Sequence, residues 1–269
     1  DSSGNSNDFT KSGTITATSD SPTNDADNGY GNYCTWNPLS HDGGTFSEGN
    51  LKYTATAGSD AFGTISVPPN SGKWYWENTV ISQDINQGSV GIQDINEMSG
   101  NFQTTGSYGM YQANNSGLNG HRFENSGTTV PGGGAAQSVT WAVNDRVNIA
   151  YNSDDGELWF GKNGTYYNFS TGATLTVDVS TPQFGAIPSA TYVPGINGTT
   201  GNGNAIYTSV FSDADFTDTP PTGYKALATQ NLPTPTIINP DDHFHSVVVD
   251  HDGSSTASTC TFNLDTYEW

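Results

Sequence analysis

The sequence predicts an all-β chain, an antiparallel two-sheet β-sandwich, and three observations predict it. Short apolar and aromatic runs recur between turn residues through the middle of the chain, at the spacing of sandwiches and barrels. The 32 Gly and 13 Pro stand beside 13 Tyr, 12 Phe and 6 Trp. Aromatic side chains fit a pleated, half-buried surface, and glycine and proline punctuate it. No long segment carries apolar residues at the three-and-four spacing of a helix. With 269 residues and 32% hydrophobic content, the chain suits one medium-sized β-domain plus extensions.

Residues 1–32 are dominated by Asp, Ser, Asn, Gly and Thr. They read as an extended polar lead-in, with one alternating segment at 9–18 able to pair as an edge strand. The domain is expected over 33–216. Its strands are expected at 50–56, 63–67, 73–81, 89–92, 108–112, 147–152, 157–162, 174–178, 183–187 and 205–211. Two glycine-rich stretches, 113–137 and 189–204, read as long loops, which in compact domains tend to carry function. Beyond 216, Thr219-Pro220-Pro221-Thr222-Gly223 and Asn231-Leu232-Pro233-Thr234-Pro235-Thr236 read as a boundary and a polyproline-like linker. Residues 217–269 are therefore expected to be a Pro-rich linker and a partial β segment, with a strand at 244–250.

Charge narrows the partners. The 27 acidic residues against 7 basic ones give a net charge of −20, which repels nucleic acid and anionic membranes. No apolar run approaches the roughly 20 residues of a membrane helix. No basic n-region followed by an apolar h-region opens the chain, so no signal peptide is expected. It starts on Asp1 without an initiator Met, and is expected to be a piece of something longer. Cys34 and Cys260 are the only cysteines. They can close a long loop as a disulfide or stand as two buried thiols, and spacing does not choose between them.

Three stretches carry a family resemblance. Ser71-Gly72-Lys73-Trp74-Tyr75-Trp76-Glu77 resembles the opening core strand of SPRY domains. Trp141-Ala142-Val143-Asn144-Asp145-Arg146-Val147-Asn148-Ile149-Ala150-Tyr151 resembles their turn-and-strand phrase. The most specific, Asp154-Asp155-Gly156-Glu157-Leu158-Trp159-Phe160-Gly161-Lys162-Asn163-Gly164, is similar to their hairpin. The resemblance implies a concanavalin A-like jelly roll over 33–216. The hairpin also follows from its residues. Asp155-Gly156 and Asn163-Gly164 are tight-turn signals, and Leu158 and Phe160 alternate with Glu157 and Trp159. The tryptophans are expected in the core, because burying such a ring gives about 1.5–3 kcal/mol before packing. The flanks, including Asp1-Ser2-Ser3-Gly4-Asn5-Ser6-Asn7-Asp8-Phe9-Thr10, Tyr33-Cys34-Thr35-Trp36-Asn37-Pro38-Leu39 and Pro221-Thr222-Gly223-Tyr224-Lys225-Ala226-Leu227, resemble phrases around such modules in bacteriophage tail and virion proteins.

Residues able to carry chemistry are scattered. A glycoside hydrolase needs two carboxylates at a set separation, and Glu77 has no acidic neighbour at strand spacing. Asp154, Asp155 and Glu157 fall on a turn, where Asp bonds its own backbone. There is no Gly-x-Ser-x-Gly elbow. His243, His245 and His251 read as surface histidines rather than a zinc set, and no Cys-x-x-Cys exists. Calcium is the one metal the many Asp and Asn oxygens would suit, although no complete calcium loop is present. No other cofactor and no catalytic residue is expected.

The expected function is therefore non-catalytic: a phage-type virion or appendage protein, found in a virion or outside cells, whose sandwich mediates adhesion or decoration. Its partners would be other copies, other virion subunits, or a host-surface glycan or protein. Loops 101–136 and 189–204 are the expected contact surface, with Tyr108, Tyr111, Arg122 and Tyr192 as anchors, because Tyr and Arg recur in binding hot spots. The alternatives are a purely architectural capsid, tail or fibre block, and a secreted carbohydrate-binding or carbohydrate-active protein.

Overall fold

The computed structural model describes residues 31–56, 58–82, 88–98, 105–113, 120–125, 128–129, 139, 141–169, 171–198 and 206–233, with backbone alone at 111–113, 120–125 and 128–129. In chain order the strands are β1 (Trp36–Asp42), β2 (Thr45–Ser47), β3 (Lys52–Thr54), β4 (Ser59–Gly63), β5 (Lys73–Ser82), β6 (Gly88–Asp94), β7 (Ser107–Ala113) and β8 (Gly120–Asn125). They continue with β9 (Thr128–Thr129), β10 (Arg146–Asn152), β11 (Glu157–Lys162), β12 (Thr165–Tyr166), β13 (Tyr192–Gly198), β14 (Ile206–Val210) and β15 (Lys225–Ala226). One sheet runs β1-β4-β13-β6-β7-β8-β9, and the other runs β12-β11-β10-β5-β14-β3-β2. Every pairing is antiparallel except that of β15, which lies parallel to the start of β5. The fold is thus the expected two-sheet β-sandwich. Helical turns among the described residues are confined to two short 3₁₀ segments, Ile95–Glu97 and Thr229–Asn231. No helix of the described residues is long and apolar enough to cross a membrane.

Strand alternation explains the core. On β5, Trp74 and Trp76 point between the sheets, and Tyr75 and Glu77 point away. The β10 residues Val147, Ile149 and Tyr151 and the β11 residues Leu158 and Phe160 do the same, meeting Val90, Ile92, Met110 and Ile196 of the facing sheet. Neutral polar bonds enter this core: Trp36 Nε1 donates to Ser209 Oγ at 3.0 Å, which donates to Asn78 Oδ1 at 2.7 Å, and Trp74 Nε1 donates to Ser71 Oγ at 3.1 Å. The hairpin turn is as its residues require. Asn163 (φ 51°) and Gly164 (φ 80°) are both left-handed, the pattern of a tight turn whose twist matches its strands. At the other end, a Cβ on Gly156 would lie 2.5 Å from the Ile187 carbonyl oxygen, so only glycine fits there.

Four expectations change. Residues 189–204, expected as a loop, contain β13, a buried strand between β4 and β6. Its Pro194 and two glycines obscure it. Pro194 is tolerated because the β4 ladder begins only at Gly195, so the missing N–H falls in a gap. The stretch 113–137 likewise contains β8 and β9. The expected strands at 174–178 and 183–187 are turns, each held by a single bridge, Tyr167 to Thr174 and Leu158 to Phe184. The expected break at 216 does not end the packing. Residues 217–228 return across the sandwich, β15 joins β5, and Ala228 bridges to Tyr33. The chain divides into two units, Asp1–Leu232 and Pro233–Trp269. The strands expected at 9–18 and 244–250 lie outside the described residues.

At the sheet edge, β1 bulges outward. Trp36 pairs with Gly63 and His41 with Ala61, so residues 37–40 loop out. Leu39, at 95% exposure, is held in this loop by its N–H donating to Asn37 Oδ1 at 2.9 Å. A bulge of this kind, with Pro38 beside it, blunts an open edge.

Candidate interaction surface

The four expected anchors separate into two pairs. Tyr108 (7% exposed) and Tyr192 (1%) are core residues. Their rings meet edge-on at 5.9 Å, Tyr192 also meets Tyr151 at 5.8 Å, and its hydroxyl donates to the Pro188 carbonyl at 3.1 Å. This corrects their expected place on a contact surface. Tyr192 begins a buried strand rather than lying in a loop, and Tyr108 occupies an inward position of β7. Burial raises the pKa of both phenols, so they remain neutral hydroxyls. Tyr111 and Arg122 stand directly opposite each other in the β7–β8 ladder. The structure thus brings together two positions that were chosen separately from sequence; their side chains lie outside those described.

A buried polar site lies on the outer face of the second sheet, and residue spacing offers little sign of it. There Tyr75, Ala150, Trp159, Tyr166 and Tyr224 form a second buried cluster, covered by Leu175, Val177 and Phe216. Phe216 meets Tyr75 edge-on at 4.8 Å. Glu77 is fully buried. Its Oε1 accepts from the Tyr75 hydroxyl at 2.8 Å and from the Asp218 N–H at 2.8 Å, and its Oε2 accepts from the Thr217 N–H at 3.1 Å. Asn148 donates to both the Tyr75 hydroxyl (2.8 Å) and Asp218 Oδ2 (2.9 Å). Arg146 grips Asp218 with two bonds of 2.8 and 2.7 Å. Burial opposes ionisation of Asp218, but the bonds from Arg146 and Asn148 outweigh it and hold the carboxyl below its ordinary value.

This brings two acids, Glu77 and Asp218, close together, which strand spacing alone could not reveal. Their arrangement is structural. Each carboxylate is saturated by donors of the chain, and the aromatic face beneath is closed by residues 216–224. Trp74 and Trp76 lie between the sheets, away from these acids. Trp159 is buried, but on this outer face rather than between the sheets.

The described cations are all engaged. Lys52 pairs with Glu48, Lys73 with Asp178, Arg146 with Asp218 and Lys162 with Asp145, and Lys225 lies 5.5 Å over the Trp74 ring. The exposed acids at the β10–β11 turn, Asp154 and Asp155, are thus left in excess. Burial and the nearby Asp155 and Asp178 raise the pKa of Glu157. No group of three or more His, Cys, Asp or Glu among the described residues could hold a metal ion, so the calcium expectation gains no site there. Cys34 is a free, buried thiol, pushed up to about 11 by desolvation. Cys34 packs as a small apolar residue beside Gly63, and the expected bridge to Cys260 involves a residue outside those described. Cys260, His243, His245 and His251 lie outside the described residues.

No family model matches the chain, and no curated protein matches it. Among solved structures, the SPRY domain of human HERC1 is similar at 17% identity and a TM-score of 0.45, covering 65% of this chain and 96% of that one. The TRIM65 PSpry domain is similar at 13% identity and a TM-score of 0.42, covering 67% of this chain and 93% of the other.

Proposed function

We propose that this chain is a non-catalytic interaction module, and that the β7–β8 ladder around Tyr111 and Arg122 presents its partner-binding surface. The observation that carries this reading is the direct cross-strand register of these two residues. A tyrosine and an arginine in one cross-strand pair combine a large, stiff contact area with a charge-assisted donor. The engagement of Glu77 and Asp218 by chain donors supports a binding rather than a catalytic role for that pair. The resemblance of the flanks to bacteriophage phrases supports a virion or appendage setting, with a host-surface glycan, a surface protein or a neighbouring subunit as partner. The experiment is a glycan-array and cell-binding assay on the full chain with Tyr111→Ala and Arg122→Ala. Loss of binding with an unchanged fold supports the surface; unchanged binding removes it.

A second reading, an architectural block assembled by strand exchange, is favoured by β15. Only two residues of this strand cover the start of β5 that β14 leaves open beside Trp74 and Tyr75, and a strand from another copy would fit the same stretch. Native mass measurement over a concentration series tests it, and a monomer throughout would exclude it.

A further inference from the structure

The Asn163–Gly164 turn carries chemistry beyond its role in the fold. An asparagine followed by glycine is the pair most open to succinimide formation, because no side chain shields the next backbone nitrogen. In that reaction the Gly164 nitrogen loses its proton to solvent and bonds to Asn163 Cγ. The Cγ–Nδ2 bond breaks and ammonia leaves. Water then opens the ring imide at either carbonyl, giving Asp or a β-linked isoAsp. Water is consumed, ammonia is released, and nothing is oxidised or reduced. Asn163 is exposed, so water is at hand.

Every group that must react is nevertheless held. The Gly164 N–H, the nucleophile, donates to Asn148 Oδ1 at 2.7 Å. The Asn163 Oδ1 accepts from the Arg146 N–H at 2.8 Å, and its Nδ2 donates to Asp145 Oδ1 at 2.8 Å. Asn148 is itself fully buried and fixed by its two donations to Tyr75 and Asp218. A short, well-partnered bond of this kind must break before the nitrogen can turn toward Cγ.

We propose that Asn163–Gly164 is a latent self-modification site that Asn148 keeps closed by binding the attacking nitrogen. Opening the site adds a carboxylate where Asn163 donated to Asp145, and so sets two like charges together beside the Lys162 pair. The β-linked product also lengthens the backbone of a turn that fixes the β11–β12 register.

The test is peptide mapping of the full chain aged at mildly alkaline pH, against a free peptide spanning residues 160–166. Asn163 is expected to stay an amide in the folded chain while the peptide converts. In Asn148→Ala, shown folded by circular dichroism, conversion at Asn163 is expected to rise several-fold. Equal conversion in chain and peptide overturns the proposal, as does a folded Asn148→Ala with an unchanged rate. If that variant does not fold, amide hydrogen exchange of Gly164 in the unaltered chain decides. Slow exchange supports the closed site, and exchange as fast as in the peptide overturns it.

Discussion

The two faces of the second sheet are both buried, but by opposite means. Between the sheets, Trp74, Trp76, Ile149 and Phe160 are held mainly by area and shape, with a few neutral hydrogen bonds such as Trp36 to Ser209 to Asn78 and Trp74 to Ser71. On the outer face, Tyr75, Trp159 and Tyr166 are covered by a returning segment, which is fastened by Glu77, Asn148, Arg146 and Asp218. Burial between the sheets is insensitive to charge. The outer cover depends on donors and acceptors that only one protonation state satisfies. One face should therefore fail by cavity formation, and the other by loss of a bond.

The sharpest break of the first face is Trp76→Ala, expected to cost about 3–5 kcal/mol in urea unfolding, with the whole sandwich lost in one transition. Next, Arg146→Ala leaves Asp218 without its two strong bonds, and we expect a loss of roughly 2–3 kcal/mol for this partly buried pair. Limited proteolysis should then cut within 216–224 before the sheets open. Simultaneous loss of both would erase the distinction between the faces. A double-mutant cycle with Asp218→Asn would sharpen it, by isolating the coupling of the pair.

The pH response is expected to be smaller and to have two parts. Glu157 has a raised value, so it opposes folding at neutral pH, and that penalty fades as acid protonates it on the way down toward 4.5. Asp218 and Asp145 have lowered values, so their contribution is complete above the ordinary carboxyl value of 3.8 and is lost as pH falls through their folded values below it. Stability measured by thermal melting should thus rise slightly on mild acidification and then drop. A monotonic fall from neutrality would contradict this assignment. The least effect is expected from Leu39→Ser, within about 0.5 kcal/mol, because the side chain touches little.

What the sequence made legible was local. The 157–164 hairpin could be read because Asp-Gly, Asn-Gly and two-residue alternation are signals within a few residues. β13 could not, because Val193-Pro194-Gly195-Ile196 has the composition of a loop, and only β4 and β6 on either side make it a strand. The same misreading placed Tyr192 on the surface. The fastening of the outer face was hidden for another reason: Arg146 and Asp218 are 72 residues apart, and the proline-rich phrase after Asp218 suggested a departing linker instead of a return. Of the candidate anchors, the pairing of Tyr111 with Arg122 needed the β7–β8 register, which a glycine-rich stretch does not announce.

The parallel pairing of β15 with the start of β5 has a mechanical consequence. Tension transmitted through the polypeptide beyond Leu232 would reach the Ala228–Tyr33 bridge, then the two-residue β15 contact and the Arg146–Asp218 clasp, before any long ladder of the sandwich. These would yield first and pay out slack, like a fuse in series with a stiff body, sparing the aromatic interior from the pull.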